Sequence, residues 1–536
     1  MPSPGGTAEN PDRQALLAEI AGCLQVSGGP GPARKSQGAV YTPAVLAAFV
    51  VERALAFLGD GPGARSTGHR LPRVLDPACG SGHFLVAAWS AIRGRWSGGP
   101  APVAMLAGLD SDPVAVARCA RVLELCARLD EIDFGCPPTV PALGVGDALL
   151  DDPPQAACDL VVGNPPYVRV DRLAPAYRQR LRAKYGDVLQ GKWDLYLCFL
   201  ASWERWLAPD GILAFVTPNQ YLLGNSAAKL RRELSQRLRI RLLLDCCGLA
   251  SFSGAIPPAA ITIFENVVPR ADDRIQAGIG LPGSPGPSSL ASLRCDAEWG
   301  EVRQDLWQKG RWSVFAPEPF MAWLGGLDAP TLGDLCDKIG EGDTQRREEA
   351  LIVPVERAPS DWQPAIRGRN IAAGRILASG DRLPPVPTAT PGRVLIRDVA
   401  ARLVAAPELA PVRCLRTVYC AYPRDRTLAG PIAALLNTDL LTWIYLRLFY
   451  SSKMSPQAAN FRFQAQFLRH LPVVFPAGPP DPDRLGDRAL EAYRVPRCYR
   501  DEIPALLARL GAGPSQGRQT ALGPLESAPG RITRAP

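Results

Sequence analysis

Residues Val74–Leu85 read VLDPACGSGHFL: a short strand, a glycine-punctuated turn and the start of a helix. Gly80 and Gly82 let the backbone turn tightly and let a ligand approach without a Cβ in the way. The pattern is GxG rather than GxGxxG, and no GKS or GKT occurs, so neither a dinucleotide fingerprint nor a phosphate-binding P-loop fits. Alone, such a turn only joins a strand to a helix. Its meaning comes from the strand ends downstream of it.

From Val40 to about Val268, apolar β-type runs alternate with helical patterns, the signature of a mostly parallel sheet with helices on both faces. Strands are expected near 73–76, 105–110, 159–163, 212–216, 241–245 and 260–265, and helices near 113–129, 195–207 and 225–237. GLDSDP at Gly108–Pro113 puts Asp110 at the end of the second strand, where a carboxylate can accept from both hydroxyls of a ribose. GDALL puts Asp147 near the end of a third. Each Asp alone reads as a turn former or helix cap. Three successive strand ends carrying Asp76, Asp110 and Asp147 point instead to a ligand site, since open α/β sheets bind at the carboxyl ends of their strands.

The next strand runs into Asn-Pro-Pro-Tyr, within DLVVGNPPYVRV (Asp159–Val170). Two prolines fix φ twice, remove two N–H donors and leave carbonyls available. Asn164 and the Pro165 carbonyl can each accept from an exocyclic amino group, Pro166 stiffens the turn, and Tyr167 offers a stacking face. This is what an amino group on a planar ring requires.

Composition removes other classes. The 536 residues are 47% hydrophobic and 21% charged, which suits a globular protein of two or three domains. No apolar stretch approaches the ~20 residues needed to cross a bilayer, and no basic-then-apolar leader opens the chain. The 14 cysteines include no CxxC pair and only three histidines occur, so no metal is expected. The cysteines read as small buried hydrophobes of a reducing compartment, which makes a cytoplasmic location the expectation. No GxSxG elbow is present either.

The net charge is +8, and residues 361–475 carry 15 Lys and Arg against six Asp and Glu, an excess of +9. That stretch is either an Arg-rich solvated face or a surface for a polyanion. The expected organisation is an N-terminal extension over 1–36, the α/β domain over 37–270, a Gly/Pro/Ser-rich linker over 271–300 and a second domain over 301–476. A long apolar-aromatic helix is expected near 431–450 within that second domain. A helical segment over 477–510 and a disordered tail over 511–536 complete the chain.

The ordered set GAVYTP, DPACGSGHFL, GLDSDP, GDAL and NPPY resembles the S-adenosylmethionine-dependent adenine-N6 DNA methyltransferases, in particular the TaqI-like enzymes and the methyltransferase modules of type IIG restriction-modification enzymes. The resemblance spans roughly Ser36 to Val268. It implies a Rossmann-like methyltransferase domain over 37–270, joined to an α+β DNA-recognition domain over 301–476. It further implies that Thr42 lies near the methionine moiety of S-adenosylmethionine. Asp76 and the backbone around Ala78 to Gly80 would hold the amino-acid end, with Gly82 closing the turn. Asp110 would bind the ribose with Ser111 beside it, and Asp147 the adenine with Ala148 alongside. Asn164, Pro165, Pro166 and Tyr167 would form the target-base site, with Phe252, in SFSGAIPPAAITIF, as a second stacking aromatic. His83 and Cys79 are read as packing residues, not as base or nucleophile.

In the basic stretch, AIRGRNI, LIRDV and the segment from Leu435 to Val473 resemble the specificity domain of the same enzymes, although Asn460 stands where that pattern has glycine before FRF. Arg367, Arg369, Lys453 and Arg462 are the candidate contacts to double-stranded DNA. About 35 residues precede GAVYTP, too few for a nuclease domain, and no PD…(D/E)xK set comes after the basic stretch. Modification without cleavage is therefore expected, with a separately encoded nuclease as the candidate partner. The alternatives are a related methyltransferase acting on RNA bases or on protein glutamine, and a catalytically dead DNA-binding subunit.

Overall fold

The computed structural model describes residues 11–25, 42–59, 71–95, 98–137, 139–153, 157–247, 258–280, 297–308, 310–342, 346–385, 391–450, 460–478, 481 and 483–510. The chain divides into two units, 1–318 and 319–536.

The first unit is built on a nine-stranded sheet. Its strands are β1 (Val74–Asp76), β2 (Leu106–Asp110), β3 (Ala142–Val145), β4 (Cys158–Gly163), β5 (Leu207–Pro218), β6 (Arg239–Asp245), β7 (Ala259–Glu265), β8 (Arg274–Gly280) and β9 (Ala297–Arg303). Their order is β3-β2-β1-β4-β5-β7-β6-β8-β9. The first five strands in that order run parallel, and β7 lies antiparallel between β5 and β6.

Helices cover the sheet. On one face lie α1 (Pro11–Gln25), α2 (Ala44–Gly59), α3 (His83–Arg93) and α4 (Pro113–Phe134). Leu46, Val50, Phe84, Leu85, Cys119 and Leu123 from these helices pack into one core with Leu160, Val162, Ala214, Val216, Leu242 and Leu244 from the strands. The alternate residues of β5 point the other way, so that Phe215 meets Trp206 with ring centroids 6.3 Å apart. Four helices flank that side in the chain: α5 (Pro175–Tyr185), α6 (Tyr196–Ala201), α7 (Trp203–Trp206) and α8 (Ala228–Arg237). The expected Rossmann-like, mostly parallel α/β architecture is the one observed, and a strand-rich second unit comes after it.

Two expectations are corrected. Residues 271–300 are not simply a linker: β8 pairs parallel with β6, and β9 returns antiparallel along β8. Burial of Ile275, Ala277 and Ile279 holds β8 in the sheet. The division between units falls instead at Glu318 and Pro319. The apolar helix expected near 431–450 is two helices, α9 (Ala429–Leu436) and α10 (Asp439–Phe449), which meet at 79°. Thr438 breaks the run because its hydroxyl caps the second helix by accepting from Leu441 N.

In the second unit, strands β10 (Cys336–Glu341), β11 (Val394–Arg397), β12 (Ala405–Pro407) and β13 (Val418–Pro423) form an antiparallel sheet in the order β10-β13-β11-β12. Helices α11 (Leu485–Ala492) and α12 (Arg497–Arg509) pack on α10 in that same unit. No single helix among the described residues is long and apolar enough to cross a membrane. Eleven of the thirteen described cysteines are buried; Cys498 is exposed and Cys23 half-buried.

Candidate functional site

The strand order reverses between β1 and β4, and a cleft of about 770 Å³ lies at the carboxyl ends of these strands. Asp76, Asp110, Asp147 and Asn164 line it together with Thr42, Ala78, Gly80, Ser111, Ala148 and Pro166. Residues far apart in sequence thus meet in one hollow. Gly82, Pro165 and Tyr167 do not line it.

The glycine turn is stitched to the strand ends by carboxylates. Asp76 Oδ1 accepts from Ala78 N at 3.0 Å. Asp110 Oδ2 accepts from Gly80 N at 2.8 Å, and its Oδ1 from Asp112 N at 2.9 Å. Gly82, at φ 93°, opens α3, and a Cβ there would stand 2.9 Å from Cys119 Sγ. Gly163 is required for closeness: a Cβ would lie 2.6 Å from Asp76 Oδ1. Asp76 is 1% exposed, and burial pushes its carboxyl up to about 8. The Ala78 N–H pulls that value back, while the charge of Asp110 adds to it. Asp110 is also raised, chiefly by burial. Two carboxyls this poorly solvated favour a ligand that brings hydrogen-bond donors or positive charge.

Asp147 Oδ1 accepts from Leu149 N at 3.0 Å, which shapes the loop after β3. Basic side chains clamp that loop from outside. Arg205 Nη1 donates to the carbonyls of Ala148 (2.7 Å) and Leu149 (3.1 Å), and Nη2 to that of Asp151. Lys184 Nζ and Tyr185 Oη each donate to Leu149 O at 2.8 Å. Sequence reading missed this clamp, because nothing in the spacing of Arg205 announces carbonyls more than 50 residues away.

In the Asn-Pro-Pro-Tyr turn, Asn164 Nδ2 donates to Thr42 Oγ1 at 2.9 Å. Its Oδ1 is buried and has no hydrogen-bond partner among the described residues. Tyr167 packs edge-on against Tyr196, with centroids 6.2 Å apart. Burial raises the Tyr167 hydroxyl, the Cys246 thiol adds to this, and the neighbouring Asn164 amide lowers it. Even so, that hydroxyl forms no hydrogen bond of ordinary length and angle among the described residues.

His83 Nδ1 lies 3.3 Å from Ser81 Oγ, and burial lowers the pKa of its ring. The Cys79 thiol is raised by its contact with Cys119 and by burial, the opposite of an activated nucleophile. No group of three or more His, Cys, Asp or Glu suited to a metal ion occurs among the described residues.

In the second unit, much of the basic excess is met by carboxylates. Arg393 pairs with Glu408, Arg402 with Asp439, Arg413 with Glu348 and Arg447 with Glu502. Arg367 is tied to Asp381. Arg462 is about half exposed, with Asp398 Oδ2 at 3.6 Å, and Arg369 is exposed. Phe252 and Lys453 lie outside the described residues.

Comparison with known proteins agrees with this geometry. The Eco57I restriction-modification methylase family matches residues 155–252, which include Asn-Pro-Pro-Tyr. Type II methyltransferase M.BanIII of Aneurinibacillus aneurinilyticus is 28% identical over 226 residues, 42% of this chain and 37% of that protein, so this chain spans little more than a third of that relative. Type II methyltransferase M.PaeR7I of Pseudomonas aeruginosa is 24% identical over 87% of this chain and 91% of its own length. The DrdV–DNA complex superposes with a TM-score of 0.52 at 14% identity, covering 90% of this chain and 59% of that one. The chain is thus related to type II methyltransferases of restriction-modification systems, and it shares a fold with a DNA-bound protein.

Proposed function

We propose that the chain transfers a methyl group from S-adenosylmethionine to N6 of an adenine swung out of double-stranded DNA, as the modification enzyme of a restriction-modification system. Cleavage is left to a separately encoded nuclease where one exists. The observation that carries the reading is Asn164: a buried amide oxygen, without a partner among the described residues, beside the cleft bordered by Asp76, Asp110 and Asp147. A buried acceptor without a partner costs about 1–3 kcal/mol, so a ligand N–H that satisfies it is favoured.

The cleft suits this cofactor in volume and in its acceptor-rich wall. Asp76 with the backbone from Ala78 to Gly80 would hold the amino-acid end, Asp110 and Ser111 the ribose, and Asp147 and Ala148 the adenine, with Thr42 near the methionine portion. When bound, S-adenosylmethionine supplies an electrophilic methyl group.

The chain's own contribution is placement. The N6 amine is a weak nucleophile because its lone pair is delocalised into the ring. Asn164 Oδ1 and the Pro165 carbonyl would each accept one of its N–H bonds, drawing the lone pair out of conjugation and aiming it. Tyr167 and Phe252 would stack on the base. Stacking and backbone contacts would offset the few kcal/mol that extrusion from a duplex costs. Catalysis on this reading rests on positioning and electrostatics. The amine, made acidic once its lone pair has bonded to the methyl carbon, would lose one N–H proton to water after transfer rather than to a titrating base during it. The second unit would read the DNA, with Arg369, Lys453 and Arg462 as contacts and Arg367 held by Asp381.

The test is methyl transfer from labelled cofactor to DNA, RNA and protein supplied in parallel. The expected result is label on adenine N6 of DNA only. Asn164→Ala should abolish transfer while cofactor binding persists. Label appearing on RNA bases or on protein glutamine would overturn the reading.

A further inference from the structure

Directly after Asn-Pro-Pro-Tyr, residues 169–192 hold seven Lys and Arg against two Asp. The middle of this segment is α5, which begins with a proline at its first turn. Leu181 and Tyr185 bury one side of the helix, while Arg180 and Arg182 are exposed and Arg178 is half-buried. Arg172 and Tyr177 line the cleft, so the helix is rooted in the rim of the proposed active site.

The segment differs in degree from the basic stretch of the second unit. There, eight of the fourteen arginines between 361 and 475 are met by carboxylates, as in Arg393–Glu408 and Arg447–Glu502. On α5, Arg178, Arg180 and Arg182 form no ion pair with any described residue. Arg178 and Arg182 stand four residues apart on one helix face, where like charges cost a few tenths of a kcal/mol. Neighbouring Lys184 already has a structural task, donating to Leu149 O. Folding therefore explains Lys184 but not the three arginines. A polyanion would.

We propose that α5 is a docking surface for the sugar–phosphate backbone of the nucleic-acid strand that flanks the base in the cleft. Guanidinium groups pair with phosphate oxygens through two parallel hydrogen bonds and carry no sequence preference in doing so. The first unit would then hold the strand it acts on by its own charge. This rests on the nucleic-acid reading of the site, and the experiment separates the two.

The full chain and the variant Arg178→Gln/Arg180→Gln/Arg182→Gln are compared for binding to a labelled, unmodified duplex across a salt series, with cofactor binding measured alongside. Each phosphate contact contributes about 0.9 to the slope of log affinity against log salt. The expected result is weaker binding by the variant and a slope smaller by roughly two to three. The Lys-for-Arg triple variant should retain most of the slope. The single variants Arg180→Gln and Arg182→Gln, each expected to remove about one, decide the matter if the triple variant loses cofactor binding. A Gln variant that binds cofactor and duplex with unchanged slope overturns the docking surface alone. A parent chain with no salt-dependent duplex binding overturns the nucleic-acid reading, and this surface with it.

Discussion

Asn164 Nδ2 donates to Thr42 Oγ1 across 2.9 Å, joining residues 122 positions apart. With Nδ2 turned to Thr42, Oδ1 is left as an acceptor without a partner among the described residues. Thr42 is on this view a positioning residue. Thr42→Val keeps the shape but loses the partner, and it should lower kcat about tenfold with little change in cofactor KM. Thr42→Ser should restore kcat. Steady-state kinetics on both variants checks this, and a KM effect without a kcat effect would refute it.

Arg205 holds three carbonyls of the loop that carries Asp147. Arg205→Met should release the loop and weaken cofactor binding about tenfold or more, since hydrogen bonds to charged groups are worth ~1.5–3 kcal/mol. Turnover at saturating cofactor should change little. Isothermal titration with cofactor gives the first quantity, and initial rates at high cofactor give the second.

Asp76 makes a pH prediction. Its carboxyl is raised to about 8, so the folded chain holds that proton more tightly than the unfolded chain does. This group's contribution to stability is therefore greatest in acid, declines as pH rises from the ordinary carboxylate range to about 8, and is flat above. Asp76→Asn should remove that decline, which melting curves of the two ligand-free proteins over pH 5 to pH 9, roughly, will register. A cationic ligand group beside Asp76 favours the carboxylate instead. Cofactor binding below about pH 8 should then release up to about one proton, measurable by calorimetry in buffers of different ionisation enthalpy.

In the second unit, Arg393 and Glu408 are both almost fully buried, with Arg393 Nε 2.7 Å from Glu408 Oε2. Glu408→Gln leaves a buried guanidinium uncompensated and should destabilise this unit by about 3–5 kcal/mol. Chemical denaturation monitored by tryptophan fluorescence would show the shifted midpoint.

The cleft was legible because its parts are local. A strand, a glycine turn and a nearby Asp are written in consecutive residues, and three such strand ends meet wherever a parallel sheet forms. The pairings that reassign charge were not legible. Arg413 finds Glu348 and Arg447 finds Glu502, over separations that no spacing rule reveals, so a +9 stretch reads as more available than it is. The sheet's extension through β8 and β9 was hidden by the Gly/Pro/Ser-rich sequence between them. Thr438 was overlooked as a cap because the apolar runs on either side of Asn437–Asp439 read as one continuous helix.

The burial of eleven cysteines gives the chain an internal stopwatch. Among the described cysteines of the native state a bulky thiol reagent meets Cys498 first and Cys23 more slowly, whereas thiols such as Cys119 in the first unit and Cys420 in the second come within reach only as their own surroundings open. Mapping the order in which these sulfurs are labelled would time the opening of each half of the protein separately, without a single engineered probe.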